Sequence, residues 1–165
     1  MVLERHDAGE HLTDQLADLD SLGAYLRARI APARALGLSL EAVDPLTIAA
    51  PLEANLNDKG TGFAGSLFSV AALAGWALLT RWCAAEGLDA EVVLQSSTAR
   101  FLAPARAGFR AVAHEPPAAE RDKLRRMLAR SGRGRAQLAV DVKVHEAIVM
   151  SFSGVYAVIA GARPR

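Results

Sequence analysis

Between Pro51 and Leu67 the chain reads Pro-Leu-Glu-Ala-Asn-Leu-Asn-Asp-Lys-Gly-Thr-Gly-Phe-Ala-Gly-Ser-Leu, a polar loop running into small residues that open an apolar helix. The first turn of a helix has backbone N–H groups without internal partners, and its dipole places positive charge there. Both suit a carbonyl oxygen or a developing oxyanion. Gly65 would let a substrate approach the backbone closely, and Ser66 follows it as a second N–H donor. Asn57 offers an uncharged amide to a carbonyl or a water, and Asp58 is the nearest carboxylate to serve as base. The same residues also make an ordinary N-capping loop, since Asn, Asp, Thr and Gly are common before helices.

Other reactive side chains are less well placed. Ser66 has no histidine near it in sequence to activate it as a nucleophile. Cys83 falls late in the apolar helix and reads as a packed thiol. Trp76 and Trp82 read as core or dimer-contact residues, and His114 and His145 as solvated strand residues. Arg121, Lys123, Arg125, Arg126, Arg130, Arg133 and Arg135 form a basic stretch. It is either a solvated face or a contact for the phosphates of a coenzyme.

The elements that must hold the loop follow from hydrophobic periodicity. Leu12, Leu16, Leu19, Leu22, Leu26 and Ile30 recur at helical spacing, which predicts an N-terminal helix at about 11–31, stopped by Pro32. Two short strands are expected at Leu36–Ala42 and Leu46–Leu52, around the turn Val43-Asp44-Pro45. A long helix from about Ala64 to Glu86, ended by Gly87, is apolar on nearly all sides and must be wrapped by other structure. Strands are expected at Glu91–Leu102 and Phe109–His114, a charged helix at Ala118–Arg130, and two long strands from Gln137 to His145 and Ile148 to Ile159. An antiparallel curved sheet wrapped around one long central helix satisfies all these faces, an α+β hotdog arrangement.

Composition narrows the rest. The 165 residues (1–165) suit one domain with a proper core. A net charge of +1, from 19 basic and 18 acidic residues, gives no global reason to expect nucleic acid as a partner. One cysteine and scattered histidines predict neither an intrachain disulfide nor a metal site, and fit a reducing, cytoplasmic setting. The N-terminus lacks the apolar run of a signal peptide. The uncharged run Phe63–Leu79 is short for a membrane span and reads as a core helix.

With these elements in place, the chain resembles the hotdog-fold putative thioesterase family of the YiiD C-terminal-domain type. The resemblance rests on Ala50-Pro51-Leu52, Asn55-x-Asn57, Gly60-Thr61-x-Phe63-x-Gly65-Ser66-Leu67, Leu73-Ala74-Gly75-Trp76 and Phe101-Leu102-Ala103-Pro104-Ala105. It implies hydrolysis of acyl-CoA or acyl-carrier-protein thioesters. Catalysis would fall to Asn57, Asp58, Gly65 and Ser66, with substrate contacts at Asn55, Gly60, Thr61 and Phe63. It also implies no cofactor beyond the coenzyme carried on the substrate, no metal, and a homodimer or homotetramer. The related phenylacetyl-CoA thioesterase branch has Asn-x-x-Gly-x-x-His-Gly-Gly before a helix that bears a carboxylate. Here Phe63 replaces the histidine and Ala72 stands where the acid would be.

Two other functions compete. A non-catalytic protein that binds acyl thioesters would keep the pocket and tolerate Ala72. A dehydratase or hydratase on the same fold would need an acid/base pair that includes a histidine, and none is placed for it.

Overall fold

The computed structural model describes residue 16 and residues 18–161. Among them α1 (Leu19–Arg29) and the short α2 (Ala31–Ala35) lead into β1 (Ser39–Val43) and β2 (Leu46–Ala50). The long α3 (Ala64–Ala85) follows, then β3 (Ala90–Phe101), β4 (Phe109–Ala113), α4 (Ala118–Ser131), β5 (Arg133–Val144) and β6 (Ala147–Ala160). Asp18 caps α1 by accepting from the Ser21 N–H at 2.9 Å. The part of the expected N-terminal helix at 11–15 lies outside the described residues. Pro32 does not end a helix as expected. The break comes earlier, at the extended Ile30, and Pro32 sits in the first turn of α2, where a missing N–H costs no helical bond.

The strands form one antiparallel six-stranded sheet in the order β1-β2-β4-β5-β6-β3. Alternation puts Met150, Phe152, Tyr156 and Val158 of β6, with Leu138, Val140 and Val142 of β5, on the face turned to α3. This is the hotdog architecture expected from the sequence, with α3 held in the curl of the sheet. By length and hydropathy α3 could cross a bilayer, but 61% of its apolar window is buried within this protein.

Local signals set the ends of α3. Gly87 is left-handed (φ 69°), its N–H bonds Ala84 O, and the Leu88 N–H bonds Cys83 O, which closes the last turn. Gly75 faces Tyr156 so closely that the phenol reaches the helix and donates to Ala72 O at 2.8 Å. Burial pushes the Tyr156 pKa up, so this donor keeps its proton. The turn joining β5 to β6 takes in His145 at φ 52°, so that histidine lies past the end of the strand expected for it. Beyond α3, the α4 residues Leu124 and Leu128 pack over Gly134. Arg125 binds Glu86 and lies over the Trp82 ring, tying α4 to the end of α3.

Candidate active site

The loop ahead of α3 is held by its own side chains. Asn57 Oδ1 accepts from the Lys59 N–H (2.9 Å) and the Thr61 N–H (3.1 Å), while Nδ2 donates to Thr61 Oγ1 (2.9 Å). The Asn57 N–H bonds Thr61 O at 2.8 Å, and Gly60 takes the left-handed conformation (φ 71°) that closes the turn. The structure therefore brings Asn57, Gly60 and Thr61 together, but Asn57 is turned onto the loop itself. Both faces of its amide are occupied.

Asn55 is a buried clip. It is only 2% exposed, and its Nδ2 donates to Leu36 O (2.9 Å) and Pro51 O (2.7 Å), while its backbone carbonyl accepts from the Phe63 N–H. Its conformation ties the entry of α3 to the segment before β1. Asn55→Ala would leave two carbonyls without this donor, so a loss of about 2 kcal/mol is expected, read as a lower denaturant midpoint at unchanged slope. A variant as stable as the parent would deny Asn55 this role.

The segment after β3 supports the loop from the other side. The Gly62 N–H donates to Ala105 O at 2.7 Å, and a Cβ on Gly62 would come within 3.0 Å of Ala105 Cβ. The separated motifs Gly60-Thr61-Gly62 and Pro104-Ala105 are thus one packed unit. Asp58, by contrast, stands in solvent with its side chain 78% exposed and paired with Lys59 at 2.9 Å.

At the start of α3 no side chain caps the helix. Phe63 O accepts from both the Ser66 N–H (3.0 Å) and the Leu67 N–H (3.1 Å). The Ser66 donor is therefore already engaged, and the Ser66 side chain is buried. Among the described residues the N–H groups of Ala64 and Gly65 have no acceptor. Ala64 carries no side-chain chemistry, so nothing in residue type marked it; only its place as the first helical residue could have. The Phe63 ring, 54% exposed, lies over Gly65 so tightly that a Cβ there would collide with Cε1.

Beyond this point the half-exposed face of α3 carries Phe68, Ser69, Ala72, Leu73 and Trp76, with the Phe68 ring edge-on to Phe152 of β6 at 5.4 Å. Ser69 Oγ is turned back to Gly65 O at 2.8 Å, and α3 contains no carboxylate. Cys83 lies farther along, buried, with its thiol pushed up to about 12 by desolvation and by Glu86, so it stays protonated. Among the described residues no three His, Cys, Asp or Glu side chains gather as a metal site would need. His114 instead pairs with Asp141 at 2.8 Å, well exposed.

A family model described as "Putative thioesterase (yiiD_Cterm)" matches residues 19–160. No curated protein matches the sequence. Among solved structures, the chain is similar to a protein of unknown function from Chlorobaculum tepidum TLS, with a TM-score of 0.79 and 24% identity over 92% of this chain and 96% of that one. It is also similar to a putative thioesterase from Shewanella oneidensis (TM-score 0.77, 24% identity, 88% and 99% covered). A third similar structure is a Pseudomonas aeruginosa protein described as a probable thioesterase (TM-score 0.71, 24% identity, 86% and 95% covered). At these identities the structural likeness speaks for the fold.

Proposed function

Since the chain belongs to the YiiD C-terminal putative thioesterase family, we propose that it hydrolyses acyl thioesters of coenzyme A or acyl-carrier protein at the start of α3. The observation that carries this reading is the pair of N–H groups without an acceptor on Ala64 and Gly65, at the start of a helix with no carboxylate and beside the exposed Phe63 ring. The thioester carbonyl accepts from that pair, and the bonds strengthen as attack by water places negative charge on the oxygen. The tetrahedral intermediate then collapses, expelling the carrier thiolate and leaving the free acid.

Asn57 acts as a positioning residue that holds the loop through Thr61. Asp58 takes the proton of the attacking water. Its ion pair with Lys59 is solvated on both sides, so releasing the carboxylate costs little. A solvated carboxylate competes with bulk water for that proton, so its share is modest. Asp58→Ala is expected to lower kcat by about tenfold with KM little changed, as measured by free thiol release. Full activity in this variant would remove Asp58 from the reaction.

A homodimer completes the proposal. Among the described residues β3 is a 12-residue edge strand bonded on one side, to β6, and Val93 and Phe101 on it are exposed. Such an edge recruits another strand, and a second copy pairing along β3 would cover the open side of α3. Pairs of dimers would give a tetramer. The reaction needs no metal and no cofactor other than the coenzyme on the substrate, and the proposed setting is cytoplasmic.

The decisive experiment presents purified protein with acyl-CoA and acyl-carrier-protein thioesters and measures free thiol. A second reading, a non-catalytic acyl-thioester binding protein, is favoured by one observation, the lack of any carboxylate on α3. Binding without thiol release would establish it in place of the first.

A further inference from the structure

The last turns of α3 and the segment leading into α4 enclose a cleft. Leu78, Arg81, Trp82 and Ala85 line it together with Glu115 and the buried Leu16, around a volume of about 280 Å³. Its walls are apolar apart from two charges. Past Leu78 and Trp82 the cleft narrows to about 20 Å³, where α3 meets Leu124 of α4 and Leu138 of β5. The two charges are not equally engaged. Glu115 is bound to Arg121 of α4. Arg81 has no carboxylate partner among the described residues. Its Nη1 donates to Val43 O across a long 3.4 Å, and its Nε is buried without an acceptor. A buried donor left unpaired is costly, and a guanidinium bonds best in pairs, to the two oxygens of one carboxylate.

We propose that this cleft binds a small aliphatic carboxylic acid, with its carboxylate on Arg81 and its tail along Leu78 and Trp82. One long bond is all that holds the guanidinium among the described residues, so it can turn its Nε–Nη2 edge to the acid. The acid enters beside Ala85, which is exposed at the rim. A water takes about 30 Å³ of liquid volume, so the cleft suits a ligand of roughly nine non-hydrogen atoms, the size of hexanoate or octanoate. The narrow end past Trp82 takes the terminal methyl group. A neutral chain of the same length gives Nε no charged acceptor, and an amine meets the guanidinium with like charge. The run of α3 from Ala64 to Arg81 spans roughly 25 Å, which keeps this cleft apart from the loop ahead of the helix. The ligand is of the class that thioester hydrolysis releases, yet its binding here does not rest on that reading.

The test is titration calorimetry of the full chain with hexanoate, octanoate, octanol and octylamine. Octanoate is expected to bind about tenfold tighter than hexanoate, since each buried methylene tightens binding roughly three- to fourfold. Octanol and octylamine should bind at least about tenfold more weakly than octanoate. Arg81→Met weakens octanoate by about tenfold or more, and Arg81→Lys, which keeps the charge and loses the fork, by less. Ala85→Phe crowds the rim from an exposed position and weakens it too. These last two variants keep the test decisive where Arg81→Met does not fold. Ala64→Pro leaves octanoate binding unchanged. Octanol binding as tightly as octanoate overturns the proposal, as does the absence of binding up to about 10 mM. Binding lost in Ala64→Pro but kept in Arg81→Met places the acid at the start of α3 and overturns it as well. Octanoate binding that depends on Arg81, in a protein that releases no thiol, upholds the cleft and overturns hydrolysis alone.

Discussion

Ala64→Pro is expected to lower kcat/KM for thioester hydrolysis by about a hundredfold while the protein keeps its fold. Proline at the first position of a helix removes an N–H that has no intrahelical partner, and its ring presets the backbone angle the helix needs. Phe63 before it is already extended, with φ −65° and ψ 130°, the conformation a residue preceding proline prefers. The substitution therefore deletes one carbonyl donor and little else. Loss of one such donor commonly costs about 10² to 10³ in kcat. The measurement is thiol release set beside thermal unfolding. Parental activity with parental stability would show that the start of α3 does not polarise the substrate, and would remove the central element of the proposed mechanism.

Gly75→Ala is expected to destabilise the protein by about 1–3 kcal/mol. A Cβ at this position would fall on the Tyr156 hydroxyl, with the ring carbon Cζ at 2.8 Å. Both residues are buried, and Tyr156 is among the largest side chains of the core, so neither can swing into solvent. Overpacking of this kind costs about 1–3 kcal/mol, and displacing the phenol also breaks its bond to Ala72 O, worth about 1 kcal/mol. The gain from replacing glycine inside a helix, about 1 kcal/mol, offsets only part of this. Chemical denaturation checks it: an unchanged midpoint would mean that α3 and β6 are not packed as described. Tyr156→Phe in the Gly75→Ala background should recover part of the loss, because it removes the colliding oxygen.

Much of this architecture can be read along the chain. The expected helix from Ala64 to Glu86 differs from α3 by one residue, because Gly87 is a local signal that needs no tertiary partner. The two last strands are legible for the same reason. Leu138, Val140 and Val142 alternate with polar neighbours, and burial of one face of a sheet demands that period. Pro32 misleads because a proline that ends one helix and a proline that opens the next look alike from sequence. His145 misleads because alternation continues past the last paired residue into the turn.

The polar loop was legible in its residue types and not in its partners. Asn55 and Asn57 are two residues apart and chemically identical. One is a buried clip to Leu36 and Pro51, and the other closes a turn with Thr61. Ser66 and Ala64 exchange places as donors because Phe63 O captures the Ser66 N–H, a consequence of where the helix begins to wind.

By itself, then, the sequence determined the order of the elements, the apolar central helix, the polar loop before it and the family. Each of these depends on periodicity or on contiguous motifs, and both are local. The tertiary structure decided which backbone N–H groups stay free and that Asp58 stands in solvent. It also decided that Tyr156 reaches α3 across 84 positions. Those outcomes depend on which groups packing brings within bonding distance and which it leaves to water, and a donor's identity does not name its acceptor.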